Sequence, residues 1–112
     1  MEALRTYLIA VRQTLVAQDI AMTIGEFDPI ANVIITENIA DAMRRTEGSI
    51  VLVFIDAPSW LAHPLPEETM QRAVMVGDVP TAMQTGFWAC LDSPFTTDHV
   101  VALLKRRAET QV

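Results

Sequence analysis

Polar residues stand at the end of each long apolar run in this chain. Arg12 and Gln13 follow the first, Asp56 closes the third, Gly77 and Asp78 follow the fourth, and Asp92, Ser93 and Pro94 follow the fifth. If those runs are parallel strands, their carboxyl ends share one crevice, and the polar residues share it too. One cation, several carboxylates and a hydroxyl could orient a small ligand there. Two readings of Arg12 stand side by side: a solvated strand-end arginine, or a fixed charge paired with Asp56, Asp78 or Asp92 that holds the loops in one state.

Other reactive residue types carry less. His63 and His99 have no histidine or cysteine at metal-ligand spacing and read as surface residues. The single cysteine, Cys90, excludes an internal disulfide and reads as a small half-buried apolar residue, not a reactive thiol. There is no GxGxxG, P-loop, HExxH, nucleophile elbow or Cys-x-x-Cys. The expectation is therefore a protein without catalytic residues, metal or cofactor.

The elements that must place these residues follow from hydrophobic pattern. Thr6 to Val11 is a compact apolar run with β-branched and aromatic members, a buried strand. From Thr14 to about Ile24, Val16, Ile20 and Ile24 fall on one helical face, and Gly25 is placed to stop the helix. Asn32 to Thr36 is a second strand, and Asn38 can cap a helix with Arg44 and Arg45 in its last turns and Gly48 beyond.

Ile50 to Ile55, IVLVFI, is apolar on both faces, as a central strand covered on both sides must be. Pro58, Pro64 and Pro66 make the next segment irregular and confine any helix to roughly Pro66 to Gln71. Ala73 to Val76 is the fourth strand, and the residues after it leave room for a turn or two of helix. Phe87 to Leu91 is the fifth. Thr96 then caps a final helix, with Phe95 stapled against Val100, and with Val100, Leu103, Leu104 and Ala108 on the buried side. Strand and helix alternate five times with short connections, which calls for a parallel sheet between two helical layers.

Size and charge bound the rest. The 112 residues, 51% of them apolar, suffice for one core and are read as a single domain over residues 1–112. Fourteen acidic against eight basic residues give a net charge of −6, which repels phosphate backbones and argues against nucleic acid. No apolar run reaches the length of a membrane span and the N-terminus lacks signal-peptide features, so a cytoplasmic protein is expected.

Five strands, a central hydrophobic strand closed by a proline, and a Pro-Phe before the last helix resemble the receiver domain of bacterial two-component response regulators. The resemblance implies a flavodoxin-like (CheY-like) three-layer α/β sandwich with strand order 2-1-3-4-5. The third and fourth helices of the family pattern would be shortened, because the connections that hold them are short here. It also implies a cis peptide bond between Ser93 and Pro94, open to proline at little cost.

The family's working parts are an acidic pair after strand one, a phosphoacceptor aspartate ending strand three, a Ser or Thr ending strand four, and a lysine before the last proline. Carried over by position, Arg12 and Gln13 replace the acidic pair, Gly77 replaces the Ser/Thr, and Ser93, before Pro94, replaces the lysine. Counting four residues back from Pro58 puts Phe54 at the phosphoacceptor position, with Asp56 as acceptor only if the register slips by two. In either register the metal ligands and the lysine are missing.

The resemblance thus implies a signalling or regulatory module that works without phosphorylation, through protein–protein contact. Its contact surface would be the strand-five and helix-five face, with Met83, Phe87, Trp88, Cys90, Leu103 and Arg106, binding a protein partner or a second copy. Of Phe87 and Trp88, neighbours on a strand, one faces each side of the sheet; the aromatic is either core or part of that patch. Trp60 and Leu61 either cap the pocket or form a partner-binding tip. The reading from another class is a small-ligand-binding or enzymatic flavodoxin-like domain that uses the strand-end crevice.

Overall fold

The computed structural model describes residues 5–77 and 86–110. Five parallel strands lie in the order β2-β1-β3-β4-β5. In chain order the elements are β1 (Arg5–Ala10), α1 (Thr14–Phe27), β2 (Asn32–Ile35), α2 (Ile39–Arg45), β3 (Ser49–Asp56), α3 (Ala57–Ala62), α4 (Glu67–Met70), β4 (Ala73–Val76), β5 (Ala89–Leu91) and α5 (Thr97–Thr110). This is the flavodoxin-like arrangement that the receiver resemblance implied.

The apolar run of β3 decides the layering. Leu52, Val53, Phe54 and Ile55 are all fully buried, so neighbouring side chains on opposite faces both need cover. On one face Leu52 and Phe54 join Tyr7, Ile9 and Val11 of β1 and its end against Ala17, Ile20 and Ile24 of α1 and Val100, Leu103 and Leu104 of α5. On the other, Val53 and Ile55 pack with Leu8, Ile39, Ala42, Leu65 and Met75. Between Thr6 and Tyr7 the β1–β3 register slips, because Thr6 pairs with Ile50 and Tyr7 with Leu52. This bulge gives β3 one extra residue and sets which side chains downstream face α1 and α5. Asp56 shares its face with Phe54, two residues earlier.

Three expected boundaries change. Helix α1 runs through Gly25 to Phe27, since Phe27 packs against the core and the Asp28 N–H bonds the Ile24 carbonyl at 2.7 Å. The segment after Asp56, expected to be irregular, is helical over Ala57–Ala62. Pro58 sits in its first turn, where no backbone N–H is needed, and Asp56 supplies the cap. The region between β3 and β4 thus holds two short helices, α3 and α4. Strand β5 begins at Ala89, two residues later than expected. The helix expected between β4 and β5 lies outside the described residues.

Helix ends follow their sequence signals. The Asn38 side chain accepts the Asp41 N–H at 3.0 Å, and Arg44 and Arg45 both reach back to the Asp41 carboxylate. At α5, Thr96 Oγ1 accepts the His99 N–H while His99 Nδ1 accepts the Thr96 N–H, a reciprocal box in which His99 takes the role usually held by Glu. Ala108, expected on the buried side, is exposed, because it faces an open crevice shared with Arg5, Phe27 and Asp28. The Ser93–Pro94 peptide bond is cis. Among the described residues no helix is long and apolar enough to cross a membrane.

At the amino-terminal end of the sheet, Arg5 grips Asp28 with two bonds of 2.8 and 2.7 Å, and the Tyr7 hydroxyl donates a longer one at 3.5 Å. This fork ties the start of β1 to the end of α1. The hydrogen bond from Arg5 holds the Asp28 carboxyl below its ordinary value of 3.8. Its contribution is therefore complete above that value and is lost as pH falls through the lower, folded value. Asp28→Asn should cost about 1–3 kcal/mol at neutral pH, and urea melts of wild type and variant should converge as the pH is taken well below 3.8. Equal stability at neutral pH would contradict the fork's role.

Candidate functional site

Strands β1 and β3 deliver their last residues to the same place because they run parallel and in register up to Ala10 and Ile55. Past those residues, Asp56 turns its carboxylate between two backbone amides. Its Oδ2 accepts the Arg12 N–H at 2.7 Å and its Oδ1 accepts the Ser59 N–H at 2.9 Å. The first bond fixes the β1–α1 turn, and the second caps α3. One carboxylate thus joins two loops of the strand-end surface.

Around it lies a crevice of about 430 Å³ that brings together Arg12, Gln13, Asp56, Gly77 and Ser93, with Val16, Val76 and Phe95. A larger crevice of about 700 Å³ opens on the other side of Arg12, lined by Thr14, Gln18, Thr36, Glu37 and Ser59 over the apolar Val11, Ala17 and Ile35. Arg12 is the residue common to Asp56, Ser93 and Glu37 among these walls. Its side chain nonetheless forms no ion pair with any carboxylate among the described residues. Of the two readings of Arg12, the pairing of its guanidinium with a carboxylate is not seen among the described residues; its backbone amide, not the guanidinium, meets Asp56. Asp78 lies outside the described residues.

Phe54 is not a pocket residue. It is wholly buried in the core between Ile9 and Val74, and the strand continues two residues beyond it to Asp56. Counting back from Pro58 gave the wrong landmark, because here the proline belongs to the first turn of α3 instead of a longer loop. The carboxylate at the strand end is Asp56. Among the described residues no group of three His, Cys, Asp or Glu is placed to hold a metal ion. Beside Asp56, the turn after β1 carries Arg12 and Gln13, and neither side chain offers an anionic oxygen.

The residues of the expected contact face divide. Leu103 is buried against the sheet, with only 9% exposure, because α5 packs on α1 through that side. It is core, not contact surface. Phe87 and Trp88 do face opposite sides: Phe87 meets Trp60 edge-on at 6.0 Å in the second layer, whereas Trp88 packs against the α1–α5 layer. Trp60 is half-buried and Leu61 exposed. Cys90 is half-buried, and burial pushes its thiol up, with the Asp92 charge adding to this. Such a thiol stays protonated and weakly nucleophilic. Arg106 is exposed beside Trp88, and Met83 lies outside the described residues.

Sequence reasoning missed Ser59 as Asp56's partner, although Asp-Ala-Pro-Ser has the spacing of a helix cap followed by its acceptor-seeking amide. It also missed Thr36 and Glu37 as crevice walls, since nothing local marks a residue that becomes important only when β2 lies beside β1.

No protein-family model matches the chain, and no curated protein matches it in sequence. Solved structures do match it in fold. HP1043, an orphan response regulator of H. pylori, superposes with a TM-score of 0.68 at 12% identity, over 96% of this chain and 98% of that one. SdrG from Sphingomonas melonis Fr1 gives 0.59 at 23% identity, over 96% and 99%. An adenylate cyclase from Rhodopirellula baltica gives 0.60 at 16% identity, over 97% and 89%. The chain therefore has the receiver-like fold that its pattern suggested.

Asp56→Ala removes both bonds of the bridge and should lower stability by about 1–3 kcal/mol in urea unfolding. Asp56→Asn keeps acceptance through one oxygen and should lose less. An Asp56→Ala protein as stable as wild type would show that the bridge does not hold the loops.

Proposed function

We propose that this chain is a receiver-like signalling or regulatory module that acts without phosphorylation, through protein–protein contact, in the cytoplasm and with no catalytic activity of its own. The observation that carries this reading is the state of the Asp56 carboxylate. Both of its oxygens accept backbone N–H groups, and the adjoining strand end carries Arg12 and Gln13. Phosphoryl transfer to a carboxylate needs a free oxygen to attack and cations to neutralise the charge that develops. Phosphorylation of either oxygen would disturb a bond that caps α3 or fixes the β1–α1 turn, and the strand end supplies neither anionic metal ligands nor a lysine to favour it.

Ser93 supports the same reading. A serine hydroxyl beside Pro94 can hydrogen-bond, but it cannot bring the positive charge that the resemblance implies for a lysine there. The fold likeness to an orphan response regulator agrees with a regulatory role.

The proposed contact surface is the strand-five and helix-five face, with Phe87, Trp88, Cys90 and Arg106 as its described members. A protein partner docks there, and a homodimer through the same face is the second form of this proposal. Sedimentation showing only monomer at tens of micromolar would remove the homodimer.

A second reading has one observation in its favour, the crevice of about 700 Å³ beside Arg12, of a size to take a small ligand. A metabolite that raises the melting temperature in wild type but not in Arg12→Ala would favour it.

The two tryptophans make the main reading easy to test. Acetyl phosphate or beryllofluoride with magnesium should leave the fluorescence of Trp60 and Trp88 unchanged. A saturable, magnesium-dependent change that Asp56→Asn abolishes would overturn the proposal.

A further inference from the structure

Three arginines converge where β4 and β5 begin. Arg106 stacks on Trp88, its guanidinium carbon 4.4 Å from the ring centroid, and its Nη2 donates to the Trp88 carbonyl at 3.3 Å. Arg107 lies over the same ring at 5.4 Å. Arg72, just before β4, donates from Nη1 to the Ile50 carbonyl at 3.3 Å. Burial first, and then the like charge of Arg72, pull the Arg107 guanidinium below its ordinary value. Lys105 adjoins them on α5.

A helix C-terminus favours cations, but that accounts only for the last turn of α5, in which Arg107 sits. It does not explain Arg72, which comes from another element, or the stacking of two guanidiniums on one indole. Among the described residues neither Arg72 nor Arg106 is paired with a carboxylate. Each has one backbone carbonyl for a group with five N–H donors. In a chain of net charge −6, this cluster is a local region of the opposite sign.

We infer that the Arg72–Trp88–Arg106 face receives an acidic segment of a partner protein, whose carboxylates the two exposed guanidiniums hold. Planar guanidinium forks match carboxylates in pairs, and Trp and Arg are among the residue types enriched where contacts carry most binding energy. A twofold contact centred on the arginines would set each cluster against its own copy, so at this part of the face a protein partner, not the homodimer form of the proposal above, is the occupant. Nucleic acid would bring its phosphates up to a chain that is acidic as a whole. The inference rests on the protein-contact reading above and gives the partner's chemistry.

The test uses the full chain and a fluorescently labelled peptide of glutamates, with a peptide of glutamines as its counterpart. The glutamate peptide should bind, the glutamine peptide should not, and added salt should weaken the complex. Arg72→Ser/Arg106→Ser should weaken binding tenfold or more, whereas Arg44→Ser/Arg45→Ser, which removes the same charge from α2, should change it less than twofold. Circular dichroism checks that both variants are folded. Equal loss in the two variants, or no preference for glutamate, overturns the inference. So does tighter binding of an oligonucleotide at the same arginines, or self-association that the Arg72/Arg106 variant abolishes. Repeating the titration with acetyl phosphate and magnesium separates this inference from the one it rests on. Binding only after that treatment keeps the acidic docking face and removes phosphorylation independence.

Discussion

A strand buried on both faces can persist only if helices cover each side and its ends find polar partners. β3 imposes that constraint here. Its side chains from Leu52 to Ile55 are out of water, so α1 and α5 must lie on one side and α2 with the short helices on the other. The strand must also end where the cover ends, and it ends in Asp56. That carboxylate stops the strand, starts α3, and fixes the turn after β1 with one oxygen to each neighbour. It is a structural bridge between two loops of the strand-end surface.

Much of the fold was legible from pattern. The central run, Asn38 as a cap, Thr96 before α5 and the Ala73–Val76 strand are all signals carried by neighbouring residues, and the structure realises each. Where the signal was ambiguous, tertiary packing decided. Gly25 can stop a helix but has open space around it, and the need to bury Phe27 carried α1 past it. Three nearby prolines suggested an irregular loop, yet Pro58 falls in a first turn, the one helical setting that suits it.

The site was less legible for a physical reason. The residues at the strand ends were identified correctly as neighbours, since parallel strands force them together. Their roles were not, because the deciding bonds use backbone amides, which every residue has. Arg12 drew attention for its charge, whereas its N–H makes the contact. Phe54 was placed by counting from a proline, and a two-residue difference in how that proline is used moved the landmark into the core. The arginine cluster on Trp88 was invisible for another reason: Arg106 and Trp88 lie on separate elements, and only the packing of α5 beside β5 brings them together.

Division of labour within the molecule follows. The carboxyl ends of the strands are held by a bridge that engages both Asp56 oxygens, while exposed charge concentrates at the other end of β5 and α5. On the function proposed above, regulation would come from which partner is bound, not from a change of covalent state. Amide hydrogen exchange at Arg12 and Ser59, followed with and without acetyl phosphate and magnesium, tests this most directly. Both amides should be protected, to the same degree under the two conditions, and both should lose protection together in Asp56→Ala. Loss of protection at either amide on adding acetyl phosphate and magnesium would contradict the account.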